Sequence, residues 1–220
     1  MQCSKTDVYR HFYRKVVERV RHLYVKPLSL GQVLAFWRDP PIWSQNTPLS
    51  YLSGKERTDF LVGLILRFAS LSDSILELGC NVGRNLQGLW NVGFRDLYGV
   101  DVNRDAVEMC ARSGCAKMLF NDALEVCLPT MNRKFDLVFT MATLEHVHSD
   151  SASQVFKAIS AVTLKCLVTV EDEVGISPTH FARNYKRVFE GLGMRQVESV
   201  IPTRVRGLGL NFQARVFKKC

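Results

Sequence analysis

The chain has 220 residues, 47% of them hydrophobic and 23% charged, with 29 Lys and Arg against 21 Asp and Glu for a net charge of +8. That length buries a real core in one domain, or one domain with an appendage, and the apolar fraction excludes a disordered chain. No apolar stretch approaches the ~18–20 residues of a membrane span and no secretory leader is visible; seven cysteines without C-x-x-C spacing argue against a disulfide framework or a zinc site, and for a reducing, cytoplasmic setting.

Residues 5–25 place Val8, Phe12, Val16, Val20 and Leu23 at spacings of three and four among Arg and Lys, the pattern of an amphipathic basic helix. Residues 1–26 carry seven basic and two acidic groups, a surplus of +5, and residues 176–220 carry nine against two, a surplus of +7. Basic ends around a mildly acidic centre suit solvated helix faces, or an anionic partner such as RNA or a membrane surface. A short apolar segment through Phe36 and Trp37 stops at Asp39-Pro40-Pro41. Residues 40–54, rich in Pro, Ser and Asn, read as an ordered loop, and Phe60, Leu61, Leu64, Ile65 and Phe68 mark a helix over 55–70.

From Ser74 onward short apolar runs alternate with helical stretches. Strands are expected at 75–78, 97–100, 117–120, 135–139 and 166–170, with helices at 84–91, 104–113 and 151–163 and a short one after Asp122. A last helix is expected over 180–192, then strands from Gly193 to Val200 and over 212–217. The fold class is therefore α/β: a doubly wound, mostly parallel seven-stranded sheet, residues 72–220, behind an N-terminal helical extension, residues 1–71.

Ligands of such sheets bind at the carboxyl ends of the parallel strands. Those ends hold Gly79–Gly83, Asp101, Asn121-Asp122, Thr140–His148 and Glu171–Glu173. The first turn reads Glu77-Leu78-Gly79-Cys80-Asn81-Val82-Gly83-Arg84. A dinucleotide G-x-G-x-x-G would need glycine where Asn81 and Arg84 stand, and no phosphate-grasping Lys-Ser/Thr follows. The pattern (D/E)-x-G-x-G-x-G is met at three of four positions, with Asn81 in place of the middle glycine; Asn is the residue that best tolerates a left-handed backbone there.

In motif order, residues ~72–173 resemble the class I, Rossmann-like S-adenosylmethionine-dependent methyltransferases. The resemblance implies S-adenosyl-L-methionine as cofactor. Gly79, Cys80, Asn81 and Gly83 would turn beneath its methionine part, with Glu77 supporting that loop or the amino group. Asp101 would accept the ribose hydroxyls, Val102 would flank the adenine, Asn121-Asp122-Ala123 would meet its edge, and Thr140-Met141 would pass below.

Methyl transfer needs alignment first and a base only for a protonated acceptor. His146, in Leu144-Glu145-His146-Val147, resembles the base of small-molecule O- and N-methyltransferases; His148 is the alternative, and Glu171 with Glu173 could hold a cationic or polyhydroxyl acceptor. No further metal ligands accompany these histidines. Trp43, Asn46, Tyr51 and Arg57 lie where this family places a lid. The implied function is methylation, at oxygen for preference, of a small-molecule, glycan or lipid-linked acceptor. RNA methylation, resting on charge alone, and a non-catalytic cofactor-binding scaffold are the alternatives. Neither an (D/N)-P-P-(Y/F) tetrapeptide after the fourth strand nor a Pro-Cys nucleophile is present, and Asp39-Pro40-Pro41-Ile42 precedes the first strand.

Overall fold

The computed structural model describes residues 25–219 together with Val16; the basic helix expected over residues 5–25 lies, apart from Val16 and Val25, outside the described residues. Helix α1, Leu30–Arg38, is set by a capping box: the Ser29 side chain accepts from the Gln32 N–H while the Gln32 side chain accepts from the Ser29 N–H at 3.0 Å. It ends at Asp39, before two prolines. Two short 3₁₀ turns, Ile42–Ser44 and Pro48–Tyr51, punctuate the expected loop, and α2 spans Lys55–Ile65.

The alternation that follows is β1 (Ile75–Leu78), α3 (Arg84–Asn91), β2 (Leu97–Asp101), α4 (Arg104–Ser113), β3 (Met118–Asn121), α5 (Leu124–Thr130) and β4 (Phe135–Met141). A 3₁₀ turn at Leu144–His146 leads to α6 (Ser149–Val162), which passes directly into β5 (Thr163–Asp172). Then come β6 (Ile176–Ser177), β7 (His180–Phe181), α7 (Tyr185–Glu190), β8 (Met194–Val200) and β9 (Phe212–Lys219).

Seven strands form one sheet in the order β3-β2-β1-β4-β5-β9-β8. The first five run parallel, while β9 is antiparallel to both β5 and β8. Alternating residues feed two cores. Ile75, Leu137, Phe139 and Val168 face α2, α3 and α4, burying Leu61, Ile65, Leu86, Leu89 and Cys110; Leu76, Leu78, Val138 and Leu167 face α5, α6 and α7, burying Leu128, Val155, Ile159 and Phe189. Strand order reverses at β1, which lies between β2 and β4. The crevice opens there.

One expected element is corrected. The helix read over 180–192 begins only at Tyr185, because Asn184 caps it, accepting from the Arg187 N–H at 2.9 Å. His180-Phe181 instead pairs with Ile176-Ser177 in a short hairpin around Pro178. His180 and Arg183 are therefore not on a helix.

Candidate active site

The carboxyl ends of β1, β2 and β4 border a cleft enclosing about 1080 Å³ of atom-free space, its open mouth included. Its floor is the β1–α3 turn. Gly79, Asn81 and Gly83 have φ of 72°, 46° and 78°, so all three glycine positions of the pattern are left-handed, the middle one occupied by asparagine. A Cβ on Gly79 would stand 2.2 Å from Oγ1 of Thr143, and one on Gly83 2.2 Å from Sγ of Cys110. The turn thus needs the missing side chains twice over, for backbone conformation and for space.

Asp101 ends β2 and binds the turn. Its Oδ2 accepts from the Asn81 N–H at 2.8 Å and its Oδ1 from the Asn103 N–H at 2.9 Å. The carboxylate keeps acceptor capacity for a ligand. Burial raises its pKa, and these backbone donors oppose the shift. The side chain of Asn103 caps α4 through Ala106 N–H and donates to the Arg38 carbonyl at 3.1 Å, tying α1 to this wall.

Glu77 lies beneath, 1% exposed. Its Oε1 accepts from Nδ2 of Asn85 at 2.7 Å, while its Oε2 is buried without a partner. Burial pushes its carboxyl up to about 8. Asn85 is held in turn by the Thr58 hydroxyl, 2.9 Å, and that hydroxyl accepts from Nε of Arg84 at 3.0 Å. A chain of polar contacts thus runs from α2 to the cleft floor. A cationic group set against Glu77 would satisfy the orphan oxygen, and the methionine ammonium of S-adenosylmethionine has that chemistry.

Of the residues singled out from sequence, Glu77, Gly79, Cys80, Asn81, Asp101, Val102, Asp122, Ala123, Met141 and His146 line this cleft. Gly83 supports the turn from outside it. Asn121 donates to the Asp101 carbonyl at 3.0 Å, and Thr140, fully buried, donates to Glu171. Glu171 does not reach the cleft: its Oε2 accepts from the N–H groups of Thr143, 3.0 Å, and Glu145, 3.2 Å, anchoring the segment that carries His146. Burial pushes the Glu145 and Glu171 carboxyls up, and the charge of Glu171 adds to the shift of Glu145. His148 caps α6, its Nδ1 accepting from the Asp150 N–H at 3.1 Å, and packs on Phe181. It stands away from the cleft lining. Glu173 is held by Arg215 through two bonds of 2.7 and 2.8 Å.

His146 forms part of the wall, with about a fifth of its side chain exposed (20%). Its Nδ1 lies 2.8 Å from the Thr179 carbonyl, which can only accept, so Nδ1 carries the proton and Nε2 a bare lone pair. Nε2 is 3.6 Å from Oε1 of Glu145. Burial lowers the imidazole pKa to about 4, with the Thr179 bond opposing and His180 adding to the effect. Trp37 lies over the ring at 4.3 Å between centroids, its Nε1 buried without an acceptor. Trp37, Asn46, Tyr51 and Arg57, all N-terminal to β1, roof the cleft, with the Tyr51 hydroxyl donating to Asn46 at 2.9 Å; Trp43 points outward, 81% exposed. Trp37, Thr58 and Asn85 carry no motif. The local signal that could place Trp37 on a helix is the Ser29–Gln32 capping box, which the reading of the sequence did not use.

Among the described residues no group of three or more His, Cys, Asp and Glu is placed to hold a metal ion, and no helix is long and apolar enough to cross a membrane.

Residues 75–165 match a family model described as "Methyltransferase domain". Comparison with curated proteins gives no match. Among solved structures, magnesium protoporphyrin IX methyltransferase from Synechocystis with bound S-adenosylmethionine superposes with a TM-score of 0.62 at 14% identity, over 93% of this chain and 97% of that one. A S-adenosylmethionine-dependent methyltransferase from Clostridium acetobutylicum gives 0.60 at 13% identity, covering 81% and 96%. One from Leishmania major gives 0.64 at 15% identity, covering 86% and 81%. These likenesses show the fold; joined to the family match and to the left-handed turn beside Asp101, they establish that residues 75–165 form a class I S-adenosylmethionine-dependent methyltransferase domain.

Proposed function

We propose that this chain methylates a hydroxyl oxygen of a small-molecule, glycan or lipid-linked acceptor, with His146 as the proton acceptor. S-adenosylmethionine supplies an electrophilic methyl carbon on a sulfonium. In this reading Gly79, Cys80, Asn81 and Gly83 carry the turn under its methionine part and Glu77 takes the ammonium. Asp101 takes the ribose hydroxyls, Val102, Asn121, Asp122 and Ala123 flank the adenine, and Thr140 and Met141 support the opposite side. Residues 1–71 are the N-terminal extension, which through Trp37, Asn46, Tyr51 and Arg57 roofs the cleft of a domain of residues 72–220.

The observation that carries the choice of oxygen is the Trp37–His146 pair. One ring offers an unused N–H and its neighbour an unused lone pair. A hydroxyl satisfies both at once, accepting from Nε1 of Trp37 while yielding its proton to Nε2 of His146. An imidazolium formed there lies 3.6 Å from Glu145. Glu171, by holding the Thr143 and Glu145 amides, fixes the turn without touching the acceptor.

The basic C-terminal surplus does not favour RNA. Arg215 is buried against Glu173, Lys186 pairs with Glu190, and Lys219 donates to the Ser160 carbonyl at 2.6 Å. Among the described residues, five buried free cysteines suit a reducing, cytoplasmic setting. A methyl-donor turnover screen across sugars, lipids, small phenols and RNA tests the proposal. Product from a hydroxylated small molecule, glycan or lipid supports it; product from RNA alone overturns it.

A further inference from the structure

The segment between α1 and α2 has its polarity reversed. From Pro40 to Gly54 the sequence has no charged residue, and the bond from Tyr51 to Asn46 ties the 3₁₀ turn Pro48–Tyr51 to the residues that follow Ile42–Ser44. The polar side chains of Asn46 and Tyr51 line the cleft. The large apolar ones turn the other way. Ile42, Trp43, Leu49 and Leu52 are 89%, 81%, 69% and 59% exposed, and none of them lines the cleft. Leu49 and Leu52, three apart across a 3₁₀ turn, stand on one side of it. A single exposed leucine is ordinary. Four large apolar side chains on one short segment that directs its polar ones inward form a surface suited to an apolar phase.

Cations border this surface. A Cβ on Gly54 would lie 2.6 Å from a terminal nitrogen of Arg57, and one on Gly207 would lie 3.2 Å from its Cδ. The Arg57 side chain thus lies against both backbones, and the β8–β9 loop reaches the end of the apolar segment. That loop, residues 201–211, holds Arg204 and Arg206, both exposed, and no acid. Within residues 27–59 the charges cancel, Arg38, Lys55 and Arg57 against Asp39, Glu56 and Asp59. The sequence that leads into α1, residues 1–26, carries seven basic and two acidic groups. An uncharged apolar face that includes a tryptophan and is flanked by cations has the chemistry of a peripheral membrane contact. A second copy of this chain docked on the same face would bring like charges together, and RNA bases would find only Trp43 to stack on among three aliphatic neighbours.

We propose that Ile42, Trp43, Leu49 and Leu52 form a docking surface for an anionic phospholipid bilayer, with Arg204 and Arg206 meeting the headgroups. The proposal depends neither on the cofactor assignment nor on which acceptor is methylated. Docked this way, the chain lays the outside of the cleft roof on the lipid.

The test is flotation of the full chain with vesicles of phosphatidylcholine alone, or of phosphatidylcholine and phosphatidylglycerol in equal parts. The unmodified chain should bind the mixed vesicles more tightly than the neutral ones, and less tightly at high salt. The variant I42S/W43S/L49S/L52S should lose at least roughly 100-fold in partition, and R204Q/R206Q roughly 10- to 30-fold on the mixed vesicles. Leu164→Ser alters an exposed leucine at the start of β5, the opposite edge of the sheet, and should bind as the unmodified chain does. All these side chains are exposed, so urea unfolding curves should match and show the variants folded. Should the fourfold variant not fold, Trp43→Ser alone should still lose roughly 10-fold. The proposal is overturned if the unmodified chain binds neither vesicle, if the fourfold variant partitions unaltered, or if Leu164→Ser loses as much. A dimer in sedimentation that the fourfold variant abolishes, with no vesicle bound, overturns it in favour of a second copy. Binding of single-stranded RNA but of neither vesicle overturns it in favour of nucleic acid.

Discussion

The backbone N–H of Asn81 donates to Oδ2 of Asp101 at 2.8 Å, so the β1–α3 turn and the carboxylate at the end of β2 are one unit. Removing the carboxylate therefore loosens the turn and, on the cofactor placement proposed above, costs a ligand contact as well. Asp101→Ala is expected to weaken S-adenosylhomocysteine binding by at least roughly 10-fold, about 1.4 kcal/mol. Asn81→Gly keeps both the φ of 46° and the N–H, and is expected to bind normally. Asn81→Val forces a β-branched residue into the left-handed region and is expected to weaken binding. Calorimetry on the three variants checks this; a normal Asp101→Ala would refute it.

On the proposed placement of the ammonium, Glu77 should link cofactor loading to pH. With its carboxyl pushed up to about 8 by burial, it is protonated in the empty cleft at neutral pH. The folded value lies above the unfolded one, so its stabilising contribution is complete below the unfolded pKa and fades as pH rises toward about 8. A bound ammonium reverses the preference. Binding near pH 7 should then release close to one proton, seen as a dependence of apparent binding enthalpy on buffer ionisation enthalpy, and Glu77→Gln should abolish the release.

His146 should work at unusually low pH. An imidazole at about 4 stays neutral, and able to accept a proton, well below neutrality. At saturating cofactor, kcat at pH 5.5 should stay close to its value at pH 7.5, whereas an ordinary histidine of pKa ~6.5 would leave about a tenth. His146→Ala should lose roughly 100-fold or more in kcat with cofactor affinity intact. Turnover undiminished in this variant would remove His146 as the base.

Glu173 and Arg215 form a two-bond ion pair between β9 and the segment after β5, each side chain about a tenth exposed or less (8% and 10%). Glu173→Ala strands a buried guanidinium and should destabilise the fold by about 3–5 kcal/mol. Replacing both partners with apolar residues of similar size should recover most of that loss. Thermal or urea unfolding of the single and double variants reads the difference.

The sheet order and the cleft edge were legible because each parallel strand is a short apolar run ending in a polar residue, and buried strands admit little else. Gly79 and Gly83 stood out since no other residue fits a left-handed turn pressed against Thr143 and Cys110. His148 and Glu171 show the limit. Proximity along the chain put His148 beside His146, and a place at the end of the fifth strand put Glu171 on the same edge, but a helix cap and a buried anchor for two amides also call for a polar side chain, and sequence does not say which way it points. Thr58, Asn85 and Trp37 were invisible for another reason: their contacts reach partners 27, 8 and 109 positions away, and no local period records them. The 180–192 helix was overread because Tyr185 and Phe189 supply a helical spacing that Asn184 cuts short.

Floor and roof have different owners. The strand ends hold one; residues before the sheet supply the other, latched by Asn103 to the Arg38 carbonyl and by Arg84 to the carbonyls of Tyr51 and Ser53, at 3.2 and 2.8 Å. On the cofactor reading proposed above, exchange of spent nucleoside for fresh would part these hydrogen bonds. Swapping the leading segment between relatives would then retune both the guest admitted and the pace of its departure, leaving the methyl-donor chemistry where it is.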